Sequence, residues 1–392
     1  MNWCVVVESN LSGQYAIRTH VLEFCRSLSQ SAPVTLLSQT SGAELKEEIT
    51  FNNLDIPARH FKPVNLSEIL NTFRAYKSLS SLHKSSPIDV LYIRATAYGL
   101  GPLVFARLRR IQHFLEINGA WDAESRLSRQ GLPQTKRMWV AMLQQLRWLS
   151  LDLACQLADN IIVVTPQLGE YLKSKGIKSE KINVVSNGVN PVHFSPKPKE
   201  TARRYLGLSS DEQVIGFVGS LAAWQGLDIL IDAFASITRC SYRTRRLIIV
   251  GDGAEHGRLE ELAISRQCES SVVFAGAKSY DEIPNIIAAC DVLVAPKRPL
   301  VSGYSTLKVY EYLACARPVI AARLPGLELI EEARAGILFT PGDPVDLATV
   351  LSAMLELPDS EREAMGNRGR NFVIEHYTWD KTVQSILSLV QA

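Results

Sequence analysis

The chain lacks the short motifs that most often declare a chemistry by themselves. Across 392 residues no Asp-x-Asp occurs, so a metal-bridged diphosphate site has no ligand pair. No G-x-x-x-x-G-K-[ST], G-x-S-x-G or H-E-x-x-H is present, which removes the P-loop, hydrolase-elbow and zinc-protease readings. The seven histidines are scattered. The seven cysteines are odd in number and form no C-x-x-C pair. That argues against a disulfide framework or a zinc ribbon and for reduced thiols in a cytoplasmic compartment. No apolar run approaches the roughly 18 residues of a spanning helix. Cys4–Val7 is too short for a signal peptide, and Glu8 follows at once.

What is there is an ordinary globular composition, 46% hydrophobic and 21% charged, in a chain longer than one core usually covers. Two domains are therefore expected. The net charge of +2 conceals an asymmetry: residues 1–190 hold 21 Lys+Arg against 15 Asp+Glu, and the remainder holds 21 against 25. A mildly basic first half is foremost an ordinary solvated surface, and it also suits an anionic lipid or acidic acceptor. No nucleic-acid partner is expected.

Short apolar runs alternate with helix-period segments. Trp3–Val7, Val34–Leu37, Val90–Ile93, Phe114–Ile117 and Asn160–Val164 read as strands, with helices at Ala16–Leu28, Leu66–Leu82, Leu100–Arg110 and Thr135–Leu157. Residues 187–200 carry three prolines and no periodicity, which predicts a hinge. The alternation then restarts with strands at Val214–Val218, Arg246–Val250, Val272–Ala275, Val292–Ala295 and Val319–Ala322. The expected fold is α/β, with two doubly wound Rossmann-like domains facing across a cleft. The expected division is 1–190, 191–372, and a C-terminal helix within 373–392 that packs back towards the first domain.

Residues 302–319 are the most informative stretch. Small and hydroxyl residues precede a helix-like segment beside Lys308, and Glu311 lies further along it among apolar residues. Free N–H groups and the positive end of a helix dipole attract phosphate, and a carboxylate accepts hydrogen bonds from vicinal hydroxyls. A second segment, 94–147, holds nine Lys/Arg and three acids, with an apolar helical stripe through Met138, Trp139, Met142, Leu146 and Leu149. That pattern suits an ordinary packed helix and also one lying at a membrane surface.

Several glycine turns occur in a fixed order with that stretch: Ser186-Asn-Gly-Val-Asn190, Gly216-Phe-Val-Gly-Ser220, Trp224-Gln-Gly-Leu-Asp228, Val250-Gly-Asp-Gly253, and Ala289-Cys-Asp-Val292 before Pro296. In this order nearly the whole chain resembles the nucleotide-sugar-dependent glycosyltransferases of family four (group 1), which are retaining enzymes with the GT-B fold. Ser305-Thr-Leu-Lys-Val-Tyr-Glu-Tyr312 resembles the branch with a Ser-Pro-Leu-Lys-hydrophobic-x-Glu-Tyr signature, as do Leu91-Tyr-Ile-Arg94 and Glu116-Ile-Asn-Gly119.

The resemblance implies that Glu311 holds the donor ribose, matching the second glutamate of the family's E-x7-E motif. It implies phosphate contacts around Ser305–Leu307 and a glycine turn at Gly219 beneath the diphosphate. Departures are equally specific. Gly303 replaces the first motif glutamate, the usual diphosphate-binding Arg and Lys fall at Ser220 and Gln225, and the usual first-domain histidine falls at Asn118. Lys308, with Lys297 or Arg298, is then the expected source of positive charge. The candidates are Asn118, Lys308 and Glu311 for catalysis. For the donor they are Gly13, Gly219, Ser220, Gln225, Gly251, Lys297, Arg298, Gly303, Tyr304, Ser305, Thr306, Leu307, Lys308 and Glu311. No metal and no cofactor are expected beyond the donor substrate, a UDP- or GDP-sugar.

The implied activity is metal-independent hexosyl transfer to a glycan or lipid-linked acceptor in polysaccharide or glycolipid assembly. The implied place is the cytoplasm, with peripheral contact at the inner face of an anionic membrane. The missing side chains also allow a catalytically silent GT-B partner or regulatory subunit. An epimerase or phosphorylase on the same fold has no sequence support.

Overall fold

A computed structural model describes residues 1–7, 11, 15–39, 58–60, 68–95, 100–119, 134–239, 243–300, 303 and 306–390. The chain divides into two compact units. One comprises Met1–Ser186, Val301–Ser305 and Trp379–Ala392, and the other Asn187–Leu300 and Thr306–Thr378. Against the expected division, the change of unit falls at 186/187, and the C-terminal stretch that groups with the first unit begins at 379.

The first unit is built on seven parallel strands: β1 (Trp3–Val7), β2 (Val34–Ser38), β3 (Ala58–His60), β4 (Val90–Arg94), β5 (Gln112–Ile117), β6 (Asn160–Val163) and β7 (Ile182–Val184). Their order is β3-β2-β1-β4-β5-β6-β7. All five residues of β1 and of β4 are buried, as a parallel sheet covered on both faces requires. The helix Trp379–Val390 packs against the helix Tyr15–Ser29, where the Ser27 hydroxyl donates to Asp380 Oδ1 at 2.5 Å.

The second unit holds six parallel strands: β8 (Gln213–Val218), β9 (Arg245–Val250), β10 (Val272–Gly276), β11 (Val292–Ala295), β12 (Val319–Ala322) and β13 (Gly336–Phe339). Their order is β10-β9-β8-β11-β12-β13. Two parallel sheets with interleaved helices make this the α/β fold of two doubly wound Rossmann-like domains that the alternation predicts.

Elements without an apolar period escape the sequence reading. Strands β3, β7 and β13 are three or four residues long, and β7 buries none of them fully. Helix Asp359–His376 is polar along most of its length and holds two glycines. Those glycines are its packing surface. A Cβ on Gly366 would stand 2.0 Å from the Ala316 carbonyl oxygen, and one on Gly369 would stand 2.6 Å from Leu313 Cδ2.

The expected hinge is anchored rather than loose. Val189 bridges Thr378, Asn190 Oδ1 accepts from the backbone N–H groups of Val192 and His193, and Phe194 is 1% exposed. The proline-rich segment then ends in a helix at Lys199–Tyr205.

Candidate active site

The second sheet reverses its winding between β8 and β11. From β8 the chain runs outward to β9 and β10, and from β11 the other way to β12 and β13. Ligands of open parallel sheets bind beyond the carboxyl ends of the strands at such a switch. The end of β8 delivers Gly219 and Ser220, that of β9 delivers Gly251, and that of β11 delivers Lys297 and Arg298. The helix Leu307–Ala314 starts there too, with Thr306 as its N-cap residue.

Glycine is required at two of these positions. Gly219 has φ 151 and Gly251 φ 134. A Cβ on Gly251 would stand 1.9 Å from the Gly219 carbonyl oxygen, and a Cβ on Gly219 would stand 2.3 Å from Lys308 Nζ. Backbone and ammonium therefore share a space that no side chain can enter. Tyr312, fully buried, fixes the geometry from below: its hydroxyl donates to the Val218 carbonyl at 3.0 Å and accepts from the Val218 N–H at 2.9 Å. The helix is thus bonded to the last residue of β8.

Lys308 Nζ donates to Gln225 Oε1 at 2.9 Å and lies 4.1 Å from the centre of the Phe217 ring. Gln225 is buried, and its Nε2 donates to Ser220 Oγ at 3.3 Å. Gln225 thus ties Ser220 to the lysine on the facing element. Burial pushes the Lys308 ammonium well below the usual lysine range. The nearby charge of Lys297 pushes it further, and Glu311 opposes both. Lys297 is 1% exposed, and burial lowers it to about 7. Two buried lysines close enough to lower one another's charge suit a polyanion, which would favour both ammonium groups.

The other candidates divide. Thr306 and Leu307 open the helix, and Glu311 follows Lys308 by one turn. Arg298 turns away: its guanidinium donates to Asp228 Oδ2 at 2.6 Å and its N–H to the Trp224 carbonyl at 3.0 Å. Gly303 groups with the first unit, where a Cβ would stand 2.9 Å from Gln167 Oε1. Gly13, Tyr304 and Ser305 lie outside the described residues.

Asn118 belongs to the first unit and follows β5, and the structure reveals around it a cluster that sequence reasoning missed. Glu116, on β5, is 1% exposed. Its Oε1 accepts from Asn118 Nδ2 at 2.6 Å and from His20 Nε2 at 3.0 Å, and it pairs with the guanidinium of Arg94. Arg94 and Glu116 are register partners on β4 and β5. Burial disfavours the Glu116 anion, but Arg94, His20 and Asn118 outweigh it and hold the carboxyl far below the usual range. Burial and the Arg94 charge lower His20, leaving it neutral near pH 7. The Trp379 ring meets His20 edge-on at 4.9 Å. The signal was present: Leu91-Tyr-Ile-Arg94 and Phe114-Leu-Glu-Ile117 each carry one charge in an otherwise apolar run.

Comparison with known proteins agrees with this architecture. Residues 17–193 match the family described as Glycosyltransferase Family 4, and residues 212–357 match Glycosyl transferases group 1. Its two domains have the GT-B fold. This GT-B chain is 30% identical over 217 residues to a D-inositol 3-phosphate glycosyltransferase of Stackebrandtia nassauensis, covering 53% of the chain and 48% of that protein. It is also 30% identical over 236 residues to an uncharacterized glycosyltransferase of Methanocaldococcus jannaschii, covering 58% of each. The GT-B chain thus spans about half the length of the curated relatives it matches. Among solved structures it is similar to sucrose-phosphate synthase of Thermosynechococcus elongatus, with a TM-score of 0.77 at 18% identity over 100% of this chain and 98% of that one. It is similar too to HepE of Anabaena in complex with UDP-glucose, with a TM-score of 0.76 at 20% identity over 100% and 99% of the two chains. At these identities the likeness establishes the fold.

Proposed function

We propose that the protein is a retaining glycosyltransferase that moves a hexose or related sugar from a nucleoside diphosphate sugar to an acceptor hydroxyl. The observation that carries this reading is the pair Lys297 and Lys308 at the switch point of the second sheet, beside the start of the helix that bears Glu311. In this reading the diphosphate lies over Gly219 and the first turn of that helix, where N–H groups and lysine charge converge. Glu311 accepts from the ribose hydroxyls, a charge-assisted contact worth about 1.5–3 kcal/mol. The bond from the anomeric carbon to the diphosphate oxygen breaks, and a bond to the acceptor oxygen forms on the same face. The departing diphosphate takes the acceptor's proton. Such a reaction asks the protein for positioning and leaving-group stabilisation rather than a strong nucleophile, and no metal ion has a step in it. UDP is the first donor base to test, because the HepE comparison structure holds UDP-glucose. A thermal-shift panel of nucleotide sugars, followed by donor hydrolysis, tests the reading. It is rejected if UDP and GDP, free or as sugars, leave the melting temperature unmoved.

The proposed acceptor is a glycan or lipid-linked sugar used in cell-surface polysaccharide or glycolipid assembly, reached from the inner face of an anionic membrane. Support comes from exposed apolar residues in the first unit. Val104 and Leu108 lie one turn apart on helix Leu100–Arg109, and Met142, Leu149 and Leu153 lie along the neighbouring helix Gln134–Leu157. Exposed Arg107, Arg109 and Arg110 flank them. Cosedimentation with phosphatidylglycerol vesicles, weakened by salt and by Leu108→Glu with Leu149→Glu, is the expected result. Equal recovery with zwitterionic vesicles rejects the charge part of this reading.

One observation favours a second reading, a catalytically silent partner protein. Ser220 and Gln225 are uncharged and already hydrogen-bonded to each other. Nucleotide binding without hydrolysis or transfer from any donor would favour it.

A further inference from the structure

Away from the lysine site, the first unit contains a built polar cluster whose hub is Glu116. His20, Arg94 and Tyr92 around it are all buried, whereas Asn118 is half exposed. A buried ion pair is a poor way to stabilise a fold, since apolar packing of the same volume does at least as well. The cluster does accomplish something else: it fixes one amide. Glu116 is ionised and can only accept, so Asn118 must present Nδ2 to it, and a flipped amide would set two oxygens against each other. Asn118 then has a second N–H and its Oδ1 not used by Glu116, at the carboxyl end of β5. That donor–acceptor pair matches two neighbouring hydroxyls of a sugar ring.

We propose that Glu116 is a positioning residue that orients Asn118 to hydrogen-bond a hydroxyl pair of a sugar ring, with Arg94 and His20 keeping Glu116 an acceptor. The inference rests on the glycosyl-transfer reading and deepens it by naming what the first unit recognises. Arg94 supplies the charge that keeps the carboxylate ionised. His20 supplies a second donor, and Trp379 packs against its ring. The ring recognised belongs to the donor sugar or to the acceptor glycan, and the two sources are separable by experiment.

The decisive variant is Asn118→Asp. It sets a second carboxyl beside Glu116, faced by Arg94 and Tyr92 from β4 and by His20 from helix Tyr15–Ser29. Two carboxyls at that spacing share a proton, so the new one titrates above the usual carboxylate range. Protonated, it donates to Glu116 as the amide did. UDP-glucose hydrolysis reads the donor ring, and binding to an immobilised glycan array reads the acceptor ring. In Asn118→Asp, the affected reading should fall about tenfold or more near pH 8 and recover towards about pH 5.5, relative to wild type at each pH. Asn118→Ala should show the fall without the recovery. Glu116→Gln should lower kcat/KM with UDP affinity within about twofold of wild type, and its circular dichroism shows whether it has folded.

Wild-type values of both readings in Asn118→Asp across that pH range would overturn the inference, and so would an identical pH response in Asn118→Ala. Failure of the parent reading looks different: wild type would neither bind UDP nor hydrolyse UDP-glucose. The glycan arm then still decides, through pH-recoverable binding in Asn118→Asp or its absence.

Discussion

Each half of the molecule buries charge at the carboxyl end of a central strand, and the two halves treat it in opposite ways. In the first, one carboxylate, Glu116, is surrounded by donors from Arg94, His20 and Asn118. In the second, Lys308 meets an amide oxygen and an aromatic face beside a further lysine, Lys297. The carboxylate titrates far below its usual range because its neighbours complete it, and the lysines titrate below theirs because burial outweighs their surroundings. A completed cluster holds a shape, whereas a buried pair of like charges holds free energy that an anion can release on binding.

That contrast predicts opposite signs when each charge is removed. Arg94→Met strands the Glu116 carboxylate and should cost about 3–5 kcal/mol, read as a fall in the first unit's denaturation midpoint. The double variant Arg94→Met with Glu116→Leu should recover most of it, and if it recovers nothing the pair is not the cause. The Glu116 contribution has its own pH sign. Its folded carboxyl lies below the unfolded value near 4.5, so the stabilisation is complete above that pH and fades as pH falls below it.

Lys297→Met should go the other way and stabilise the second unit, on the order of 2–4 kcal/mol near pH 6. The folded ammonium titrates near 7 against 10.5 when unfolded. Below about pH 7 both states hold the proton and the full burial cost is present. Between 7 and 10.5 the unfolded chain holds the extra proton, so wild-type stability rises with pH, and the variant's, left with the Lys308 contribution, rises less. Calorimetric melting at several pH values checks this, and a variant less stable than wild type at pH 6 would sink it. The same substitution should weaken UDP binding, because the strain removed is the strain the phosphates relieve.

Glu311→Gln should weaken donor binding about tenfold or more, roughly 1.5–3 kcal/mol, with the melting temperature nearly unchanged. Equal affinity by titration calorimetry would remove the ribose assignment. The smallest effect sharpens the site most. Lys308→Ala should cost more UDP affinity than Gln225→Ala, and the two should combine to less than their sum because the side chains touch at 2.9 Å. Full additivity, or the reverse order, would put the phosphates on another wall.

Most of this fold was legible from period alone. Buried parallel strands such as Val292–Ala295 are continuous apolar runs, and helices such as Leu227–Arg239 carry a strong apolar stripe. Helix Asp359–His376 was not, because it packs through Gly366 and Gly369, and absent side chains leave no hydrophobic period. The proline-rich 187–200 read as a hinge since its anchors, Thr378 and Tyr280, are remote in sequence. In the site, a helix start followed by a carboxylate announced Lys308 and Glu311. Its tie to Gln225 depends on two glycine turns that no spacing rule encodes. The Glu116 cluster needed β4 and β5 in register, which only the fold supplies.

The contact between Trp379 and His20 has a consequence for how the protein is made. Synthesis proceeds from the amino end, and early domains usually fold while later ones are still on the ribosome. Here His20, Arg94 and Glu116 are translated before the second unit's sheet, yet the ring that packs on His20, Trp379, is translated after it. The unit that is begun before the second is therefore completed after it. Until residue 379 emerges, its polar cluster waits uncovered, and any stall late in translation leaves that half open.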